Sequence, residues 1–167
     1  MHSTIMLDIA APADLVFDLA RDPRRWERLL PHYARSHAVD VRADAVVIDF
    51  VARRPFPLVG VLGLGLPVAW RARTWSEPAS RQLRFVHVAG ATRGMDVTWR
   101  IETRGPAACR VAIDHDFRPR VALFASFVDR AFTRPIAGRT LGTFRALAEA
   151  LADDRRSDPS PETERSA

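Results

Sequence analysis

Lysine is absent from the 167 residues: all 25 basic side chains are arginine, set against 20 acids for a formal net charge of +5. Much of the sequence pI near 11 therefore reports the very high pKa of guanidinium, not a large charge excess. The closest arginine groupings, Arg24-Arg25, Arg53-Arg54 and Arg155-Arg156, are pairs separated by acids and apolar runs. The basic stripe or arm that tracks phosphates is missing, and no nucleic-acid partner is expected. A single cysteine, Cys109, excludes an internal disulfide and leaves no Cys pair or Cys/His spacing for structural zinc. Long apolar runs are also lacking. The longest uncharged stretch, Pro55 to Trp70, holds 16 residues with three prolines and three glycines, short of the ~20 apolar residues that a spanning helix needs. Met1 to Asp8 has no basic region leading into an apolar one, so no secretory signal and a cytoplasmic protein are expected.

Motifs that would name a chemistry are missing as well. Gly63-Leu64-Gly65 lacks the third glycine of a dinucleotide fingerprint, and there is no Gly-Lys-Ser/Thr, Gly-x-Ser-x-Gly or His-Glu-x-x-His. In Asp114-His115-Asp116, strand alternation sends the aspartates to the face opposite the histidine, so neither a metal nor a cofactor is expected.

What is there is enough for one domain. A chain of about 150 residues buries roughly 70% of its unfolded surface, and 47% of these residues are hydrophobic. Residues 3–10 read as a strand; Pro12 opens a helix to Arg21. Asp22-Pro23 is a restart signal for a second helix to Leu30, with Trp26, Leu29 and Leu30 on one stripe and Pro31 ending it. From Ala34 to Phe117 the period becomes two, broken by turn residues into five or six antiparallel strands, of which Ser80–Ala89, Met95–Thr103 and Cys109–Phe117 are clearest. A short helix is expected over Val121–Phe132, then a long amphipathic one over Thr133–Leu151 with Ile136, Thr140, Phe144, Leu147 and Leu151 on one side. The domain spans residues 1–152; the polar stretch 153–167 reads as a disordered tail. This order is α+β, with the last helix packed on one face of a curved sheet.

Parity assigns the inward faces. One set is Met95, Val97, Trp99 and Ile101; another is Cys109, Val111, Ile113, His115 and Phe117; a third is Leu83, Phe85, His87 and Ala89; a fourth is Val68, Trp70, Ala72 and Thr74, with Arg71 and Arg73 outward. Two imidazoles thus fall on apolar faces. If the turn at Glu77–Ser80 pairs residues summing to 157, Trp70 lies across from His87. His87 and His115 sit on strands one strand apart, too far for direct contact but bridgeable by a ligand; each alternatively is a core histidine bonded to backbone or water. The run Pro55 to Trp70 reads as a greasy lid at a pocket mouth, as a surface that touches membrane or a partner, or as a buried strand with a proline-flanked connection.

Several runs resemble a known family. Ile9 to Phe17, then Arg21-Asp22-Pro23-Arg24-Arg25-Trp26 and Leu30-Pro31-His32-Tyr33, are similar to the opening of helix-grip proteins of the START/Bet v 1-like superfamily. Phe85 to Gly90, Arg93 to Trp99 and Ile136 to Leu141 resemble its polyketide cyclase/dehydrase branch. The resemblance implies a seven-stranded antiparallel sheet gripping the C-terminal helix around a hydrophobic cavity. It implies a hydrophobic small-molecule ligand, with Phe50, Trp70, Phe85, His87, Met95, Val97, Trp99, Ile113, His115 and Phe117 as candidate contacts. The alternatives are an aromatase/cyclase using His87 and His115 as acid and base, or a lipid or quinone carrier. Such cyclases use a pocket arginine on a central strand, and the nearest counterparts here, Arg71 and Arg73, point outward by parity.

Overall fold

The computed structural model describes residues 1–55, 65–119 and 122–157. Among them, seven strands form one antiparallel sheet: β1 (His2–Ile9), β2 (Tyr33–Val41), β3 (Val46–Pro55), β4 (Gly65–Glu77), β5 (Gln82–Gly90), β6 (Asp96–Gly105) and β7 (Ala108–Asp116). Their order, β1-β7-β6-β5-β4-β3-β2, is a meander whose first strand returns to pair with the last. Short breaks impose this, since hairpins can join only antiparallel neighbours. The expected face sets hold with one exception: Met95, Val97, Trp99, Ile101, Cys109, Val111, Ile113, His115, Leu83 and Phe85 are buried, but Ala89, expected inward, lies past a bulge and pairs with outward Arg71. Arg71 and Arg73 are exposed, paired with Asp49 and Asp44.

Two short helices follow β1. Pro12 caps α1 (Ala13–Ala20), and the Asp22 carboxylate accepts from the Arg24 N–H at 3.1 Å to start a single 3-10 turn, Pro23–Arg25, that leads into α2 (Trp26–Leu29). Leu30 is extended, as the residue before Pro31 must be. The C-terminal helices are continuous, where two separate ones were expected. α3 (Ala122–Val128) passes through a π turn, Asp129–Thr133, into α4 (Arg134–Ser157). Pro135 lacks the N–H that would bond residue 131, and the wider turn absorbs that loss.

Three further expectations are corrected. The β4–β5 register sums to 159 (Thr74 with Phe85, Ala72 with His87), and a bulge at Arg71/Ala72 then sets Trp70 opposite Gly90, not His87. The buried face of α4 is Ala137, Thr140, Leu141, Phe144, Ala148 and Ala152, which leaves Leu147 half-buried and Leu151 exposed; beyond Phe144 the stripe that meets the sheet lies one position on from the expected one, with alanine in place of leucine. Residues 153–157, expected in the tail, complete the helix; 158–167 lie outside the described residues. The run 55–70 contributes the end of β3 and the start of β4, and its residues 56–64 also lie outside them. No described helix is long and apolar enough to cross a membrane.

Phe144 is 0% exposed and closes the space between α4 and the sheet. Phe144→Ala removes a fully buried ring and is expected to cost about 3 to 5 kcal/mol in denaturant unfolding. Gly90 has φ +92, and a Cβ there would lie 2.8 Å from the Ala69 carbonyl oxygen. Gly90→Ala therefore strains both the torsion and the β4–β5 contact; a melting temperature equal to that of the unaltered chain would refute this account.

Candidate functional site

Between the inner face of the sheet and α4 lies a cavity of about 80 Å³. Its wall is aromatic: Trp26 and Tyr33 from the helical hairpin and the start of β2, Phe50 and Trp70 from β3 and β4, Phe85 from β5, Trp99 from β6, and Phe132 from the π turn. Phe50 and Trp70 stack at 5.2 Å, and Trp70 stacks on the His87 ring at 5.9 Å. Trp70 reaches His87 diagonally, across the bulge, although it is not its cross-strand partner.

Of the ten residues named as contacts from the sequence, nine line this cavity: Phe50, Trp70, Phe85, His87, Met95, Val97, Trp99, Ile113 and His115. Phe117 does not. It is buried under α3, its ring 6.5 Å from that of Phe124. The structure also brings in residues from beyond the central strands: Trp26 from α2, Tyr33 from the start of β2, Thr92 from a turn, Thr133 from the π turn and Thr140 from α4. The helical stripes containing Trp26 and Thr140 were the usable signals among them.

The polar groups are few and held. His87 Nδ1 lies 2.7 Å from the Thr92 hydroxyl, and Thr92 is fixed by the tight turn that bonds Met95 N–H to its carbonyl at 3.0 Å. Removal from water holds the His87 pKa down at about 3, with the nearby His115 acting in the same direction. His115 is lowered to about 4 by burial, partly offset by a backbone bond with Ser3 and by the charge of Asp129. Outside the cavity wall, His32 Nε2 sits 2.9 Å from the Thr140 hydroxyl, which itself donates to the Ile136 carbonyl at 2.9 Å. Burial, then the charge of Arg139, lowers His32 to about 4. Burial pushes the Tyr33 phenol upward, with Thr140 pulling the other way. No arginine is among the described residues lining the cavity, and among the described residues no group of His, Cys, Asp and Glu is arranged to hold a metal ion.

The His32, His87 and His115 imidazoles are thus neutral at pH 7. The unfolded chain takes up these protons near pH 6.5, the folded chain only near 3 to 4. Between those values the unfolded state binds more protons, so this contribution to stability is complete above about 6.5 and is lost as pH falls through the window. The His87 ring resonances are expected to stay unshifted from pH 8 to 5 by NMR. His87→Phe should lose less stability than the unaltered chain on acidification from pH 6.5 to 4.

A family model described as polyketide cyclase/dehydrase and lipid transport matches residues 9–140. No curated protein sequence matches the chain. Among solved structures, the Zhui aromatase/cyclase from Streptomyces sp. R1128 superposes with a TM-score of 0.74 at 18% identity, covering 98% of this chain and 99% of that one. A START superfamily protein from Mycobacterium smegmatis gives 0.61 at 14% identity, covering 92% and 97%. Norcoclaurine synthase from Thalictrum flavum, a point mutant with a transition-state analogue, gives 0.66 at 13%, covering 90% and 95%. These likenesses establish the fold, a helix grip, and the match over residues 9–140 places the chain in the polyketide cyclase/dehydrase and lipid transport family.

Proposed function

We propose that the cavity binds a hydrophobic small molecule and that neutral His87 is the polar handle for it. The observation that carries this reading is a wall of seven aromatic rings into which only a few fixed polar groups project, His87 foremost among them. Apolar lining supplies affinity and sparse polar groups supply orientation. Thr92 engages Nδ1, so Nε2 is left to meet a carbonyl or hydroxyl of the occupant. A space of about 80 Å³ is smaller than the roughly 150 Å³ apolar cavity that takes benzene, so even a small aromatic occupant displaces side chains of the wall.

Acetophenone and ethylbenzene share size and shape and differ in one carbonyl. Acetophenone is expected to bind more tightly, read from the indole N–H resonances of Trp70 and Trp99. His87→Phe should weaken acetophenone binding by about 1 to 3 kcal/mol and leave ethylbenzene unchanged. Equal affinities in the unaltered protein would refute the role of His87. No perturbation by either probe, with only the bare chain in native mass spectrometry, would refute the cavity as a binding site.

A second reading, an aromatase/cyclase acting on a polyketide, is supported by the two unprotonated imidazoles in one cavity. At pH 7 each can take a proton from an acidic carbon and return it in a later dehydration. The lack of an arginine among the described lining residues weighs toward binding alone, as in a lipid or quinone carrier.

A further inference from the structure

His87 and Thr92 belong to one turn, between β5 and β6. His87 N–H donates to the Met95 carbonyl at 2.9 Å, Gly94 N–H to the His87 carbonyl at 2.8 Å and Met95 N–H to the Thr92 carbonyl at 3.0 Å. The two side chains therefore meet on a fixed frame, and Trp70 stacks on the imidazole with 18° between the planes. The Thr92 hydroxyl lies 2.7 Å from Nδ1. Its single proton needs an acceptor. Thr92 is 8% exposed, and among the described residues Nδ1 is the one partner its hydroxyl has. The imidazole, neutral at pH 7, has one bare nitrogen with which to accept that proton. A separation of 2.7 Å also suits an O–H donor, since N–H donors typically stand at about 2.9 to 3.0 Å. The other buried threonine and histidine pair runs in the opposite sense. The Thr140 hydroxyl gives its proton to the Ile136 carbonyl at 2.9 Å, so His32 Nε2, also at 2.9 Å, is the donor there. Among the described residues Thr92 has no such carbonyl.

We propose that Thr92 is a positioning residue whose hydroxyl donates to His87 Nδ1 and fixes the ring proton on Nε2, so that His87 is a donor to the cavity and the occupant's polar atom there is a hydrogen-bond acceptor such as a carbonyl oxygen. This deepens the binding reading and rests on it. A ring in this state has no lone pair left to receive a proton donor from the occupant. For the cyclase reading it narrows His87 in the same way: the imidazole can stabilise negative charge on a carbonyl oxygen but is not the base that takes a proton from carbon.

The ring proton is read in the ligand-free protein, apart from any binding. With ¹⁵N-labelled histidine at pH 7, His87, identified by the loss of its signals in His87→Phe, is expected to carry its proton on Nε2, with Nδ1 shifted as a hydrogen-bonded acceptor. Thr92→Val keeps the branched shape and drops the hydroxyl; it should move the Nδ1 resonance towards that of a bare ring nitrogen, and Thr92→Ser should restore it. A threonine that merely supported the turn would leave that resonance unmoved, and this result would overturn the proposal. So would a proton on Nδ1 in the unaltered protein, a measurement that stands even where Thr92→Val fails to fold. Selection is read with two bicyclic probes of like shape, indole with a donor N–H and indene with no polar group. Similar affinities for the two are expected, and indole binding several-fold more tightly would overturn the selection. Acetophenone is expected to lose several-fold in affinity in Thr92→Val and to regain it in Thr92→Ser. Failure of every probe to bind overturns the binding reading and the selection built on it, while the Thr92 and His87 assignment is decided by the spectrum alone.

Discussion

The indole of Trp26 is the contact on which the interior depends. It is 3% exposed and meets five rings, those of Tyr33, Phe50, Phe85, Trp99 and Phe144, at centroid distances between 5.4 and 5.9 Å. Its N–H donates to the Ala20 carbonyl at 3.1 Å, which satisfies the one polar atom that would otherwise forbid so deep a position. One side chain thereby ties the end of α1, the concave sheet and the C-terminal helix to one another. It also forms part of the cavity wall, so the packing that stabilises the domain and the surface offered to a ligand are the same atoms.

The two faces of the sheet solve different problems. Outward positions carry cross-strand pairs, Arg71 with Asp49, Arg110 with Asp8 and Arg100 with Asp114, which keep the convex face wet and contribute little each because solvent screens them. Inward positions are apolar apart from a few groups held by neighbours. In that setting an imidazole is worth more as a neutral hydrogen-bonding group than as a cation, and desolvation enforces this for His87, His115 and His32 alike.

The face assignments were legible because alternation is local: Met95, Val97, Trp99 and Ile101 declare their side of β6 without reference to any other strand. Asp22-Pro23 likewise declared its turn through one side chain and one ring. Register was not legible. It depended on how many residues the turn at Pro78–Ser80 consumed and on a bulge beside Gly90, and each such residue slides a whole strand past its neighbour.

Residue order by itself determined the class of architecture, the identity of the buried face of the central strands and the presence of two histidines on it, because periodicity and turn chemistry act over a few residues. Only the tertiary structure decided what those histidines meet. Thr92 arrives from a turn, Trp70 reaches His87 across a bulge, and Trp26 and Tyr33 join the same cavity wall from a segment more than 50 residues before His87. Such meetings follow from closing the sheet around α4, a packing event whose partners are distant in sequence and leave no periodic trace in it.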